Sequence, residues 1–200
     1  MADEPVRILE ISEDKLTAEQ KKVFDDLVAG RGRLLTPYKI WIQSPKLAAA
    51  METIGTFLNK RGSLTKREVE LTIVIIATHW QGAYVQAAHV KRCLELGYPQ
   101  AAMDAIKAAR PPDLPNAREK AVYDLCQIAM APGGGSDEVY DGAAELLGRE
   151  GLAEVIALLG YYSAVSMAMK LHRVPVPAYF ESYQPAAARS VHHQQRTLRR

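Results

Sequence analysis

Apolar residues recur at helical spacing along most of this 200-residue chain, and the breaks between the apolar stretches fall at proline and glycine. No stretch shows a convincing strand pattern, so the sequence predicts an all-α protein. Residues 33–43 are predicted to be irregular, because Pro37 interrupts them. The predicted helices cover about 17–29, 45–58, 65–80, 83–96, 99–109, 116–130, 136–148 and 152–171.

Two of these helices begin with a capping box, in which a hydroxyl residue and a Glu or Gln three positions later bond each other's backbone N–H groups. Thr17 with Gln20 begins the first helix, and Thr65 with Glu68 begins the third. Glu68 therefore has a structural role. Glu70, two positions later in a run of aliphatic residues, has none.

Glu70 is the most informative residue of the chain, because a carboxylate among aliphatic side chains is costly unless it is paired, hydrogen-bonded or protonated. A cluster of His79, Trp80, Tyr84 and His89 follows it within twenty residues. The combination predicts a polar site inside a helical core. A structural ion pair, at a subunit interface for example, is the alternative for Glu70.

Composition excludes several classes of function. The formal net charge is +2 and the basic residues are spread along the chain, so nucleic acid is not an expected partner. No apolar run reaches the roughly 18 residues of a membrane helix, and the acidic N-terminal segment lacks a signal core, so a cytoplasmic location is expected. The two cysteines, Cys93 and Cys126, are predicted to be buried and reduced.

The segment at 68–99, E-x-E-L-T-I-V-I-I-A-T-H-W-Q-G-A-Y-V-Q-A-A-H-V-K-R-C-L-E-L-G-Y-P, resembles the core of the carboxymuconolactone decarboxylase / alkylhydroperoxidase D-like family. The flanking segments TPYKIWIQSPKLA and EVIALLGYYSAVSMAMKLHRVPVP are similar to the decarboxylase branch. The resemblance implies an alkylhydroperoxidase D-like helical bundle over 35–177. An N-terminal helical extension would precede it over 1–34, and a C-terminal tail would follow over 178–200.

The peroxidase branch of that family uses a Cys-x-x-Cys pair, a histidine four residues later and a glutamate twelve residues before the pair. On this chain, His89 and Glu70 match the histidine and the glutamate, whereas Gly82 and Val85 occupy the cysteine positions. Thiol peroxidation needs both thiols, so the resemblance favours the decarboxylase branch. That branch often has Tyr-Glu-Trp before its histidine; here only Tyr84 of the three matches.

These arguments define the candidate site. Glu70 and His89 are predicted to form an acid–base relay, and Tyr84 either donates to a developing enolate or packs between helices. No residue set has metal-ligand spacing, and no cofactor is expected. The residues predicted to line the substrate cavity, each with core packing as its alternative, are His79, Trp80, Tyr38, Trp41 and Gln86.

The resemblance implies cofactor-free decarboxylation, or related proton-transfer chemistry, on a small carboxylated lactone or cyclic acid, as in aromatic degradation. An alkylhydroperoxidase-like or peroxiredoxin-like antioxidant activity is the alternative that the missing cysteine pair disfavours. A non-catalytic protein that binds a small ligand is a third hypothesis. The resemblance also implies a homotrimer or homohexamer, with no nucleic-acid or membrane partner.

Overall fold

The computed structural model describes residues 5–8 and 11–183, and this part of the chain is all-α, as predicted. A short 3-10 helix, Glu13–Lys15, precedes the first α-helix, and another, Ala178–Tyr183, follows the last. The α-helices are α1 (Ala18–Arg31), α2 (Thr36–Trp41), α3 (Pro45–Lys60), α4 (Lys66–His79), α5 (Ala83–Glu95), α6 (Gln100–Lys107), α7 (Ala117–Met130) and α8 (Asp137–Leu171).

Helix α4 lies at the centre of the bundle and packs against α3, α5, α6, α7 and α8. Its ten consecutive residues from Glu68 to Ala77 are all buried. A helix that is apolar on nearly every face can be stable only in such a position. The two charged residues of this buried stretch, Glu68 and Glu70, therefore lie inside the protein.

Both predicted capping boxes are present. The Thr17 hydroxyl accepts from the backbone N–H of Gln20, and the Thr65 hydroxyl accepts from that of Glu68. The prediction that residues 33–43 are irregular is wrong in part, because α2 forms there. Pro37 lies in the first turn of α2, where a missing N–H breaks no helical hydrogen bond.

The predicted division between the last two helices falls at Gly148. Its φ of 73° and ψ of 170° are not helical, although hydrogen bonding continues from Asp137 to Leu171. Only glycine adopts such a backbone conformation without strain. The long helix α8 therefore consists of two segments that meet at a kink.

Two ion pairs connect the start of α4 to α7. The Arg118 Nε donates to Glu68 at 2.7 Å, and the Arg67 Nε donates to Glu119 at 2.5 Å. Glu68 and Glu119 are both buried. These contacts give the buried carboxylates at this end of α4 partners from the protein itself.

The two ends of the described chain lie together beside α5 and α8. The backbone N–H of Arg7 donates to the carbonyl of His172 at 2.9 Å. The C-terminal 3-10 helix packs against α5, and its Phe180 ring lies edge-on to Tyr84 with centroids 6.2 Å apart. Residues 184–200, most of the predicted tail, lie outside the described residues.

Among the described helices, α8 is the only one long and apolar enough to span a membrane, but 56% of its most apolar window is buried inside the protein. A helix with most of its apolar face packed inside a bundle passes the same test of length and composition. Apolar side chains also remain at the surface of α3, where Leu47, Ile54 and Phe57 are 45–47% exposed.

Candidate active site

Glu70 and His89 meet between α4 and α5, which the turn Trp80–Gly82 joins into a hairpin. The Nδ1 of His89 lies 2.5 Å from Oε2 of Glu70, so the contact expected from the sequence is present. Glu70 is fully buried and His89 is 7% exposed. The hairpin thus places an acid and a base, nineteen residues apart in sequence, in direct contact.

The second carboxylate oxygen of Glu70 faces two cations. Lys66 Nζ lies 2.7 Å from Oε1, and Arg92 Nη1 lies 3.6 Å from the same atom. Lys66 is one helical turn before Glu70, and Arg92 is three residues after His89, so each helix contributes one cation. Both cationic side chains remain about half exposed.

These contacts determine the charge state of the pair. Burial raises the pKa of Glu70, but the hydrogen bond from His89 and the charge of Lys66 outweigh burial and lower it to about 2. Burial also disfavours the imidazolium form of His89 and lowers its pKa, although the Glu70 carboxylate opposes this. We therefore assign an ionised Glu70 and a neutral His89 at pH 7.

The charge state in turn determines the tautomer of His89. An ionised carboxylate can only accept a hydrogen bond, so Nδ1 of His89 carries the hydrogen and Nε2 has a free lone pair. Nε2 has no hydrogen-bond partner among the described residues, and the His89 ring lines a cavity. The arrangement gives a base that a buried carboxylate orients, in a ring that lines the cavity.

The cavity has a volume of about 930 Å³ and lies between α5, α8, the start of α2 and the two chain ends. Its described lining contains five basic residues and no acidic residue. Aromatic and aliphatic side chains form most of the remaining wall. The basic residues are Arg33, Lys39, Lys60, Lys66 and Arg92; the aromatic residues, apart from His89, are Tyr38, Tyr84, Tyr161, Tyr162, Tyr179 and Phe180.

Two tyrosines of α8 place their hydroxyl groups among polar partners beside the cavity. The Tyr162 hydroxyl donates to Oδ1 of Asn59 at 3.0 Å, and the Tyr162 ring lies edge-on to His89 with centroids 5.3 Å apart. The hydroxyls of Tyr161 and Tyr38 are 3.3 Å apart. Gly55 of α3 makes room for Tyr161, because a Cβ at position 55 would lie 2.3 Å from its hydroxyl oxygen.

The structure brings only some of the sequence-predicted residues to the cavity. Tyr84 and Tyr38 line it together with His89. Trp41 is buried and packs edge-on to Tyr38, so it supports the wall. Trp41 and three more of the predicted residues do not line this cavity: His79 is exposed, Trp80 donates from its indole to the Ser163 hydroxyl, and Gln86 donates to the Thr78 hydroxyl.

Sequence reasoning missed Lys66, Arg92, Tyr161 and Tyr162 as cavity residues. Lys66 lies at a helix start, where a solvated position is the commoner alternative to binding a carboxylated substrate, and tyrosines in the middle of a long helix more commonly pack against neighbours. The spacing of Lys66 four residues before Glu70 was the available signal, since i and i+4 residues share a helix face. Nothing in the sequence indicates that Tyr162 faces His89, because the two are 73 residues apart.

Neither cysteine reaches the cavity. Cys93 and Cys126 are free and fully buried, as predicted. Burial raises the pKa of both thiols, that of Cys126 to about 12, so neither forms a thiolate at neutral pH. Among the described residues, no group of three or more His, Cys, Asp or Glu side chains could hold a metal ion.

No family profile matches this chain, and no curated protein matches it by sequence. Solved structures do match. An alkylhydroperoxidase AhpD core protein from Ralstonia eutropha JMP134, described as an uncharacterized peroxidase-related protein, superposes with a TM-score of 0.70 at 16% identity, over 88% of this chain and 95% of that one. A peroxidase-related protein from Silicibacter sp. TM1040 gives a TM-score of 0.68 at 14% identity, over 90% and 96%.

A third similar structure is the debrominase Bmp8 in complex with 2,3,4-tribromopyrrole. It gives a TM-score of 0.65 at 14% identity, over 88% of this chain and 94% of that one. At such identities the likeness concerns the fold. The chain has the alkylhydroperoxidase AhpD-like fold, and the resemblance drawn from its sequence is confirmed at that level.

Proposed function

We propose that this protein is a cytoplasmic, cofactor-free enzyme that decarboxylates a small carboxylated lactone or cyclic acid by acid–base chemistry. The observation that carries the proposal is the buried Glu70–His89 pair, whose histidine lines a cation-rich cavity with no thiol in its described lining. A histidine oriented by a carboxylate is a common general acid–base catalyst.

The charges around the pair suit an anionic substrate. Lys66 and Arg92 attract it, and a negative charge beside Nε2 raises the proton affinity of His89. As the C–C bond to the carboxylate breaks, its electron pair moves into the lactone or ring carbonyl and forms an enolate. His89 delivers a proton from solvent to carbon, so that the acid anion and one proton become the product and carbon dioxide.

The cations and the tyrosine hydroxyls support this step. Positive charge next to the developing enolate oxygen lowers the barrier, because preorganised groups stabilise charge that appears only in the transition state. The hydroxyl of Tyr84, which lines the cavity, is a donor for the same oxygen. Glu70 holds the imidazole in one tautomer and balances the imidazolium when it forms.

The test is release of carbon dioxide from a panel of carboxylated lactones and cyclic oxo acids. His89→Gln should reduce turnover by about 10²- to 10⁴-fold, the usual contribution of a general acid–base. His172→Gln is the matched control, because His172 does not line the cavity and should leave turnover unchanged. Release that is independent of His89, or no release from any compound, would contradict the proposal.

The alternative peroxidase activity has a direct assay, consumption of hydrogen peroxide with a dithiol reductant. The burial of Cys93 and Cys126 away from the cavity argues against it. Ligand binding without any turnover would instead support the non-catalytic hypothesis.

The proposal includes assembly into a homotrimer or homohexamer. Leu47, Ile54 and Phe57 on α3 are about half exposed, and soluble monomers avoid contiguous apolar surface. Sedimentation equilibrium at micromolar concentration should therefore give a mass of three or six chains. A stable monomer would contradict this part of the proposal.

A further inference from the structure

The cavity is polarised along helix α5. Helices α5 and α8 run in opposite directions at this point: Gly82 lies against Ser166, whereas His89, further along α5, lies against Tyr162 on the preceding turn of α8. Cavity residues on α5 therefore mark positions along the cavity. Tyr84 and Arg92, which both line the cavity, are eight residues apart on α5, which is about 12 Å along the helix axis.

One end of the cavity, near Arg92, is cationic. Lys66 and Arg92 both contact the carboxylate of Glu70. The hydrogen bond between Asn59 and Tyr162 places Asn59, and with it the neighbouring Lys60, at the same end. We call Asn59, Lys60, Lys66 and Arg92 the cationic end. Lys66 and Arg92 face one carboxylate, that of Glu70, and Lys60 adds a third positive charge, so the described residues at this end have a net charge of about +2.

The other end, near Tyr84, is apolar. The Phe180 ring packs against Tyr84, and the turn that ends α8 brings Val174 back to Met169, whose carbonyl accepts from its N–H at 3.0 Å. The bond from Arg7 to His172 places Val6 and Ile8 at the same end. We call this set the apolar end; it comprises Val6, Ile8, Met169, Val174, Pro175 and Phe180.

His89 lies between the two ends, three residues from Arg92 and five from Tyr84 on the same helix. A cavity of about 930 Å³ is large enough for a drug-sized ligand, so a compact lactone at His89 would fill only part of it. The remaining space at the apolar end offers aliphatic and aromatic contacts. A ligand that leaves this end empty would lose most of the available hydrophobic stabilisation.

We propose that the site takes an amphipathic carboxylic acid, with its anionic head at the cationic end and a hydrophobic tail, about 7.5 Å long, extending past His89 to the apolar end. This inference rests on the proposed function for the chemistry at His89, and it narrows the substrate class from small cyclic acids to acids that carry an alkyl or aryl substituent. The separation of five residues between His89 and Tyr84 on α5 determines the length of the tail.

The first experiment measures binding of octanoate, butyrate and octan-1-ol to the full chain by calorimetry at fixed ionic strength. Octanoate should bind at least about tenfold more tightly than butyrate, because each buried methylene contributes up to about fourfold. Octan-1-ol should bind more weakly than octanoate, because it lacks the charge that the cationic end attracts. Equal affinities for octanoate and butyrate, or for octanoate and octan-1-ol, would overturn the inference.

Two variants test which end of the cavity contributes the tail-length effect and which contributes the charge effect. Phe180→Ala should weaken octanoate at least threefold and leave butyrate unchanged, whereas Arg92→Gln should weaken both acids and leave octan-1-ol unchanged. Ile156→Ala is the control for the loss of an apolar side chain, because Ile156 is 53% exposed and lies outside the cavity. An equal effect of Phe180→Ala on octanoate and butyrate would contradict a tail at the apolar end.

A measurement on the unmodified protein avoids any dependence on the folding of variants. In crystals soaked with 8-bromooctanoate, the anomalous signal of bromine should lie in contact with Phe180 or Met169. Bromine at Arg92 would overturn the inference. None of these probes needs to react: head-and-tail binding without carbon dioxide release would contradict the proposed function alone, and release without head-and-tail binding would contradict this inference alone.

Discussion

Glu68 and Glu70 are two buried carboxylates on one helix, two residues apart, and their surroundings are opposite in kind. Glu68 bonds the backbone N–H of Thr65 and the guanidinium of Arg118. All its partners are fixed parts of the bundle. Glu70 bonds His89, a group that has a second nitrogen beside a cavity. Burial and pairing are common to both; the difference is that the pair containing Glu70 retains a reactive atom.

Glu154 extends the comparison. Its carboxylate is buried and accepts from the backbone N–H groups of Ser63 and Leu64, which closes the loop before α4. Its partners, like those of Glu68, are structural groups. A buried carboxylate therefore indicates a functional site only when its partner can exchange a proton with a ligand. Whether the partner can do so depends on whether it lines a cavity, and not on the carboxylate itself.

The largest effect that tests this comparison is on turnover. Glu70→Gln should reduce carbon dioxide release by about 10²- to 10⁴-fold, because an amide can donate to Nδ1 and reverse the tautomer of His89. The ¹⁵N shifts of the His89 ring should show the change directly, with the hydrogen moved from Nδ1 to Nε2. An unchanged tautomer with full turnover would remove Glu70 from the mechanism.

Glu68→Gln is the matched control and should have the opposite profile. It breaks the pair with Arg118 and should lower the free energy of unfolding by about 2 to 3 kcal/mol, towards the low end for a buried pair because the Arg118 side chain is 39% exposed. Turnover per folded molecule should remain within a few fold. Denaturant unfolding and turnover of both variants, measured side by side, would separate the two roles or show that they coincide.

The second prediction concerns the stability of the protein at low pH. The pKa of Glu70 is lowered from 4.5 to about 2, so its ionised form contributes stability that is present above pH 4.5 and is lost as the pH falls towards 2. The shift corresponds to about 3 kcal/mol. The lowered pKa of His89 also makes the folded protein less stable as the pH falls, and it does so at a higher pH. The reason is that the unfolded chain takes up the histidine proton as the pH falls through about 6.5, before the folded protein does.

Chemical unfolding at pH 7, 5 and 3.5 measures this dependence. Glu70→Gln should flatten the part of the curve below pH 4.5. Glu145→Gln is the control, because Glu145 is an exposed carboxylate on α8. A wild-type curve that is as flat as that of Glu70→Gln would mean that the carboxylate is not held in its charged form.

The sequence was sufficient for the helices other than α2 and for one pair at the site, because the signals for these features are local. Capping boxes and apolar periodicity are local, so Thr65 with Glu68 and the α4–α5 hairpin could be predicted from neighbouring residues. Glu70 was conspicuous because a charge in an aliphatic helix needs a partner, and the family resemblance supplied His89. The contact follows from a short hairpin between two adjacent helices.

The rest of the cavity could not be predicted, because it depends on contacts between distant segments. Tyr162 reaches His89 only through the packing of α8 on α5, and Phe180 reaches Tyr84 only through the return of the chain after α8. His79 was expected at the cavity because it is near His89 in sequence. It lies at the end of α4 on the exposed surface, because nine residues from Glu70 the helix has left the site.

The third prediction concerns the wall of the cavity. Gly55→Ala places a Cβ 2.3 Å from the Tyr161 hydroxyl oxygen and should displace that ring, at a cost of about 1 to 3 kcal/mol in the free energy of unfolding. Turnover should fall with it, because the displaced ring enters the cavity. Gly160→Ala is the control: nothing lies within 4 Å of that Cβ, so the variant should be as stable as the wild type or up to about 1 kcal/mol more stable.

The smallest effect is expected from the cysteines, which are buried like Glu70 but have no role at the cavity. Replacing both Cys93 and Cys126 by Ala removes two small side chains from the core, at a cost of about 1 kcal/mol each. Carbon dioxide release per folded molecule should be unchanged, since Gly82 and Val85 occupy the positions where thiol chemistry would need sulfur. Abolished activity in a folded double variant would mean that a thiol takes part, and it would favour the peroxidase alternative over the acid–base pair.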